Sequence, residues 1–147
     1  MRWNDLKSEP CPVARGLSVI GDRWTMLVLR DCFQGVRRFD DFQRRLGVTR
    51  HVLTDRLRKL EEEGVLERRL YQERPPRYEY RLTEKGLALH PVLVTLVHWA
   101  NAWAPHPEGK GPQLVSSQTG EAIEPVLTDA RTGERLTHKS FRSPRAT

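Results

Sequence analysis

The sequence predicts a mainly α-helical domain that carries one small β-hairpin and ends in a short β-rich tail. Three observations predict it. Apolar residues recur at helical spacing in successive stretches between Cys11 and Glu63. VLERRLYQE and RYEYRL, on either side of Arg74-Pro75-Pro76, read as two strands joined by a Pro-rich turn. The last segment is punctuated by Thr119-Gly120-Glu121 and Thr132-Gly133-Glu134, which read as the turns of two small hairpins.

Taken in order, residues 1–10 are polar and are expected to form a flexible arm. The first helix starts at Pro12, whose missing N–H costs nothing in the first turn, and spaces Val13, Leu17 and Ile20 helically. Gly21 ends it, and Asp22 is expected to cap a second helix, RWTMLVLRDCF. That helix is nearly apolar around Trp24, Leu27 and Val28, which predicts a central core element ending at Gly35. A short third helix, 39–46, carries Phe39, Phe42 and Leu46 on one face. Gly47-Val48-Thr49 is a tight turn, with Thr49 placed to cap a fourth helix from Arg50 to Glu63, and Gly64 stops that helix. After the hairpin, Thr83 caps a fifth helix that is expected to reach about Trp103. The chain then reads as a principal domain (11–104), a Pro/Gly-rich linker (105–112) and the tail (113–147).

The order helix, glycine turn, helix, hairpin is the layout of a winged helix-turn-helix. The fourth helix passes the test that this layout demands. Stepping about 100° per residue from Leu53, Leu57 and Leu60 fall within about 40° of it and form a buried stripe. His51, Thr54, Asp55 and Arg58 fall on the opposite side, with Arg50 at the flank. Arg can bond guanine with two hydrogen bonds, and Thr and His are shorter readers of base edges. Asp55 either accepts from cytosine or orients Arg56 or Arg58; an ordinary intrahelical ion pair is the plainer alternative. The Pro-stiffened hairpin tip places Arg74 and Arg77 where they can reach phosphates or a narrow minor groove.

Charge follows the same elements. The 147 residues carry a net charge of +6. Residues 37–59 hold eight basic side chains against three acidic ones, and residues 68–81 hold five against two. The remainder is slightly acidic, so the excess lies on the helix-turn-helix and the wing, as a phosphate-binding face requires.

Cys11-Pro12-Val13, Ile20-Gly21 with Arg23-Trp24-Thr25, Arg38-Phe39, Leu53 through Leu60, and Pro75-Pro76-Arg77-Tyr78-Glu79-Tyr80 together resemble the HxlR family of bacterial, MarR-like winged-helix transcription regulators. The resemblance covers about residues 11–104. It implies a homodimer that binds double-stranded promoter DNA at a palindromic operator, as repressor or activator. With the residue reading, it gives a DNA-contacting set of Arg38, Thr49, Arg50, His51, Thr54, Arg58, Arg74 and Arg77. The tail resembles extensions of some members in which Cys-Gly pairs occupy the two turns. Here those positions are Thr119-Gly120 and Thr132-Gly133, so no zinc and no cofactor are expected, since Thr is not a practical zinc ligand.

Residues 86–107 carry no formal charge, but thirteen apolar side chains interspersed with His90, Pro91, His98 and Asn101 are too polar for a membrane span. A helix with so wide an apolar arc needs cover on two sides. The expected cover is a second subunit, through Val13, Leu17, Val92, Leu96, Trp99 and Trp103. Cys11, beside the positive end of the first helix and one turn from Arg15, is the candidate redox sensor, as resembling regulators use a Cys there. Cys32 is expected to be buried and inert. An oxidant or a small molecule is the expected effector. Two cysteines exclude a disulfide scaffold and a four-Cys zinc site. The start lacks an apolar leader, so a cytoplasmic protein is expected. With no P-loop, Gly-rich nucleotide motif or HExxH, an enzyme is not expected. The alternative reading is a winged-helix module that binds protein or RNA without operator DNA.

Overall fold

The computed structural model describes residues 1–142. The chain divides into two compact units, Met1–Leu93 and a second from Val94 onward. The first unit opens with a 3-10 helix, Trp3–Ser8, followed by α1 (Pro12–Ile20), α2 (Thr25–Phe33), α3 (Phe39–Leu46) and α4 (Arg50–Glu62). Strands β1 (Leu66–Gln72) and β2 (Arg77–Leu82) come next, then α5 (Glu84–Leu87) and α6 (His90–Trp103), which begins in the first unit and continues into the second. This is a winged helix-turn-helix.

The core is the inward face of these elements. Val28 and Leu29 of α2, Phe42 of α3, Leu53, Leu57 and Leu60 of α4, and Val65-Leu66 at the start of the wing form one cluster, each essentially inaccessible to water. The predicted stripe of α4 is therefore the centre of the fold. Asp31 of α2 is fully buried beside this core. Its Oδ1 accepts from Arg30 Nη2 at 2.9 Å and Arg45 Nη2 at 3.3 Å, which ties α2 to α3. A buried carboxylate needs such partners, because uncompensated charge in the interior is costly.

Local expectations give way at three places. The stretch expected to be a flexible arm holds the 3-10 helix. Leu6 is buried there, and Lys7 Nζ donates to Glu63 Oε1 at 2.9 Å. The second helix starts at Thr25, after Trp24 in a left-handed conformation (φ 73°), without a side-chain cap. Asp22 pairs instead with Lys59 of α4, and Trp24 and Leu27 are partly exposed rather than core. The single fifth helix is two, broken at Ala88-Leu89. Pro91 has no N–H to return to the carbonyl four residues back and its ring crowds that carbonyl, so the α5 ladder ends there. The Thr83 cap itself is present, with Oγ1 accepting from Gly86 N at 3.2 Å. Gly86 is also where α5 crosses the wing: an added Cβ would press into the Val65 carbonyl and lie 3.0 Å from Leu82 Cδ2.

In the second unit, the tail carries two equivalent turns thirteen positions apart. One bridge joins Val115 to Ala122 and the other Thr128 to Arg135, with Gly120 and Gly133 at φ 72° and 74°. Each expected hairpin is thus a turn closed by a single bridge. Ser116 Oγ accepts from Thr119 N, and Asp129 Oδ1 accepts from Arg131 N. Side-chain oxygens hold these turns together. No helix among the described residues is long and apolar enough to cross a membrane.

Truncating a fully buried side chain of the α4 stripe removes apolar contacts and leaves a cavity. Leu57→Ala is expected to cost about 2–5 kcal/mol of stability, read as a lower urea midpoint. Arg58→Ala, on the exposed face of the same helix, is expected to stay within about 0.5 kcal/mol of the parent.

Candidate nucleic-acid interface

The α4 helix is aimed by its two ends and its buried side. Gly47 closes α3 in a left-handed conformation (φ 67°) that favours glycine, which makes the tight turn possible. Thr49 Oγ1 then accepts from Val52 N at 3.2 Å and caps α4. With Leu53, Leu57 and Leu60 inward, Arg50, His51, Thr54, Asp55 and Arg58 are exposed along the opposite side. Asp55 does not pair with Arg58: its Oδ2 accepts from Arg56 Nη1 at 2.5 Å, and Arg56 Nε reaches the Arg23 carbonyl at 2.6 Å. Asp55 thus belongs to a brace between α4 and the turn before α2, and Arg58 keeps its guanidinium for the outside.

The wing is an antiparallel ladder running from Leu66 opposite Leu82 to Gln72 opposite Arg77, with an irregularity between Leu70 and Gln72 that sets Tyr71 out of register. At the tip the Arg74-Pro75 bond is cis, and Gln72 Nε2 donates to the carbonyls of Arg74 at 3.3 Å and Pro75 at 3.1 Å. Arg74 and Arg77 flank this tip and are exposed.

Between the helix-turn-helix and the wing lies a cleft of about 560 Å³ that gathers Arg38, Arg50, Arg68 and Arg77. Three of these guanidiniums lie over aromatic rings. The Cζ of Arg38 is 4.3 Å from the Tyr71 ring centre, that of Arg50 is 4.6 Å from Phe39, and that of Arg68 is 4.4 Å from Tyr78. Arg50 also meets Asp40 at 3.6 Å, in a solvent-exposed pair worth little. Glu79 registers the positive field: hydrogen bonds from Arg81, with the charges of Arg81, Arg37 and Arg38, hold its carboxyl below the usual range.

Sequence reasoning missed Arg68 and Tyr71. Period-two alternation already puts Arg68, Leu70, Tyr78 and Tyr80 on one strand face, which was the available signal for Arg68. Tyr71 enters through the bulge, which the sequence does not announce.

The remaining candidates are not among the residues that line the cleft. Cys11 is exposed at the start of α1. Burial, with the neighbouring Asp31 carboxylate, pushes the Cys32 thiol up to about 12. The expected dimer residues are all exposed: Val13 69%, Leu17 40%, Val92 42%, Leu96 48%, Trp99 59% and Trp103 78%.

Comparison with known proteins agrees with this architecture. The HxlR-like helix-turn-helix family model matches residues 19–108. An uncharacterized HTH-type transcriptional regulator of Mycobacterium tuberculosis is 42% identical over 128 residues, 87% of this chain and 81% of the relative. The crystal structure of PA1607, a proposed transcription factor, is similar with a TM-score of 0.85 at 38% identity, covering 95% of this chain and 98% of that one. The redox regulator HypR in its oxidized form is similar at 0.58 and 36% identity, over 63% of this chain and 96% of its own. The chain belongs to the HxlR-like helix-turn-helix family of transcriptional regulators.

Proposed function

We propose that the protein is a homodimeric, sequence-specific DNA-binding regulator that occupies a palindromic promoter operator in the cytoplasm and responds to an oxidant at Cys11. The observation that carries the DNA reading is the two-sidedness of α4. Its leucines are buried, and its far side offers Arg50, His51, Thr54 and Arg58 beside a cleft of arginines. In this reading α4 enters the major groove, Arg50, His51, Thr54 and Arg58 meet base edges, and Arg38, Thr49, Arg74 and Arg77 meet the phosphate backbone and minor groove. The principal domain is residues 11–104, with 105–112 as linker and 113–147 as an appended tail.

The dimer reading rests on exposed apolar side chains. No residue of α6 is buried, and Leu96, Trp99 and Trp103 stand in solvent together with Val13 and Leu17 of α1. Large exposed aromatics are costly in water and are typical of a subunit interface. A two-fold partner would present a second α4 one turn of DNA away. The redox reading rests on Cys11 being exposed at a helix start, on the raised thiol pKa of half-buried Cys32, and on the similarity to the redox regulator HypR.

Arg58→Ala is expected to weaken operator binding by about 1–3 kcal/mol and to relax specificity at one base pair, measured by fluorescence anisotropy. Full operator affinity after loss of Arg50, Thr54 and Arg58 together would favour a protein- or RNA-binding module. A Trp99→Ser/Trp103→Ser double variant is expected to sediment as a monomer at concentrations where the parent is a dimer. Iodoacetamide at mildly alkaline pH is expected to label Cys11 in the native protein and to spare Cys32 until unfolding. An oxidant is expected to change operator affinity in the parent and leave Cys11→Ser unmoved; equal changes in both would exclude a Cys11 switch.

A further inference from the structure

The second unit lacks a core of its own. From Val94 to Arg142 no side chain is buried, whereas the main cluster of apolar side chains lies in the first unit. The order of the tail comes from local hydrogen bonds. In the first turn Ser116 N donates to the Glu121 carbonyl and Gly120 N to the Ser116 carbonyl, both at 2.8 Å. In the second, Asp129 N donates to the Glu134 carbonyl at 2.8 Å and Gly133 N to the Asp129 carbonyl at 2.7 Å. These bonds satisfy each turn from within and withdraw little apolar surface from water. Units of this size are marginal alone, and disulfides, metals or oligomerisation usually make up the difference. This unit has no cysteine, and no cluster of His, Cys, Asp and Glu that could hold a metal occurs among the described residues. Oligomerisation is the device that remains.

The surface that the tail presents is apolar. Val115, Ile123, Val126, Leu127 and Phe141 are each at least 42% exposed. Charge there is balanced: residues 113–142 hold four acidic and four basic side chains. The tail therefore carries none of the positive excess that would draw nucleic acid or an anionic lipid surface. It lies beside α6, with Val97, His98 and Asn101 across a gap of about 170 Å³ from Leu114, Ile123 and Pro125. Leu96, Trp99 and Trp103 of α6 stand exposed in the same compact unit.

A stable interface takes about 20–30 residues a side, which three side chains of one helix do not supply. A second copy of this chain brings the same patch, and two-fold pairing sets such a patch against itself. Resting on the reading of α6 as a subunit interface, we propose that the tail is the outer part of that interface. Val115, Ile123, Val126, Leu127 and Phe141 pack against the second unit of a second copy of this chain. The tail begins beyond residues 19–108, the span of the helix-turn-helix family model, so this contact is an addition to the winged domain.

The test is sedimentation equilibrium of the full chain. A Val126→Ser/Leu127→Ser variant is expected to raise the dimer dissociation constant at least tenfold while leaving the far-UV circular dichroism unchanged. Hydrogen exchange of the parent supplies a readout that needs no variant. Peptides spanning residues 113–136 are expected to slow at least tenfold as the concentration rises through the dimer range. A parent dimer that the tail variant leaves equally tight, or tail exchange indifferent to dimerisation, would overturn the proposal. In that outcome a Trp99→Ser/Trp103→Ser variant that is monomeric keeps the α6 reading standing. A parent that stays monomeric at every concentration overturns both.

Discussion

The whole arrangement depends on the burial of one leucine stripe. Leu53, Leu57 and Leu60 are withdrawn from water against Phe42, Val28 and Leu29. Burying each such side chain is worth about 1.5–3 kcal/mol. A helix has one rotational setting that buries all three, and that setting fixes which residues face outward. The orientation of Arg50, Thr54 and Arg58 is thus a by-product of core packing, not of any contact those residues make. The Gly47 turn and the Thr49 cap fix where the helix begins, and Lys59 with Asp22 fixes it from the side. Rotating α4 by one residue would expose leucine and bury arginine, which is why the site and the core stand or fall together.

The net charge gains meaning once partners are assigned. Of the basic side chains in residues 37–59, Arg45 reaches buried Asp31, Arg56 reaches Asp55 and the Arg23 carbonyl, and Lys59 reaches Asp22. These cations brace the fold. Arg38, Arg50 and Arg58 remain exposed, Arg50 in only a loose pair with Asp40, and they are joined from the wing by Arg74, Arg77 and Arg68, the last 3.9 Å from Glu61. The positive surface is smaller than the composition suggests, and it is more sharply placed.

The elements that were legible in the sequence are those whose cause is local. The stripe of α4, the Thr49 and Thr83 caps, the stop at Gly64 and the two strands each follow from a few adjacent residues. The failures are of two kinds. Asp22 looked like a cap because the sequence displays neighbours and not Lys59, thirty-seven residues away. Lys7 reads as part of a free arm for the same reason, its partner Glu63 lying in a distant element, and Leu6 is buried in the short helix that packs on α1. The break before α6 is different: Pro91 was visible, and the apolar continuity around it outweighed the backbone rule. In the candidate site, the α4 face was readable from periodicity, whereas Tyr71 beneath Arg38 depended on a bulge that only the folded ladder displays.

The aromatic seats of Arg38, Arg50 and Arg68 bear on the entropy of recognition. A free arginine loses up to about 2 kcal/mol of rotamer freedom when it is immobilised. A guanidinium already resting on a ring has surrendered part of that freedom before any phosphate arrives. Lysine at these three positions would preserve the charge and lose the flat stacking surface. The cleft therefore distinguishes shape from charge: its readiness for a polyanion resides in planar cations held still, and a surface of equal charge with mobile side chains would not reproduce it.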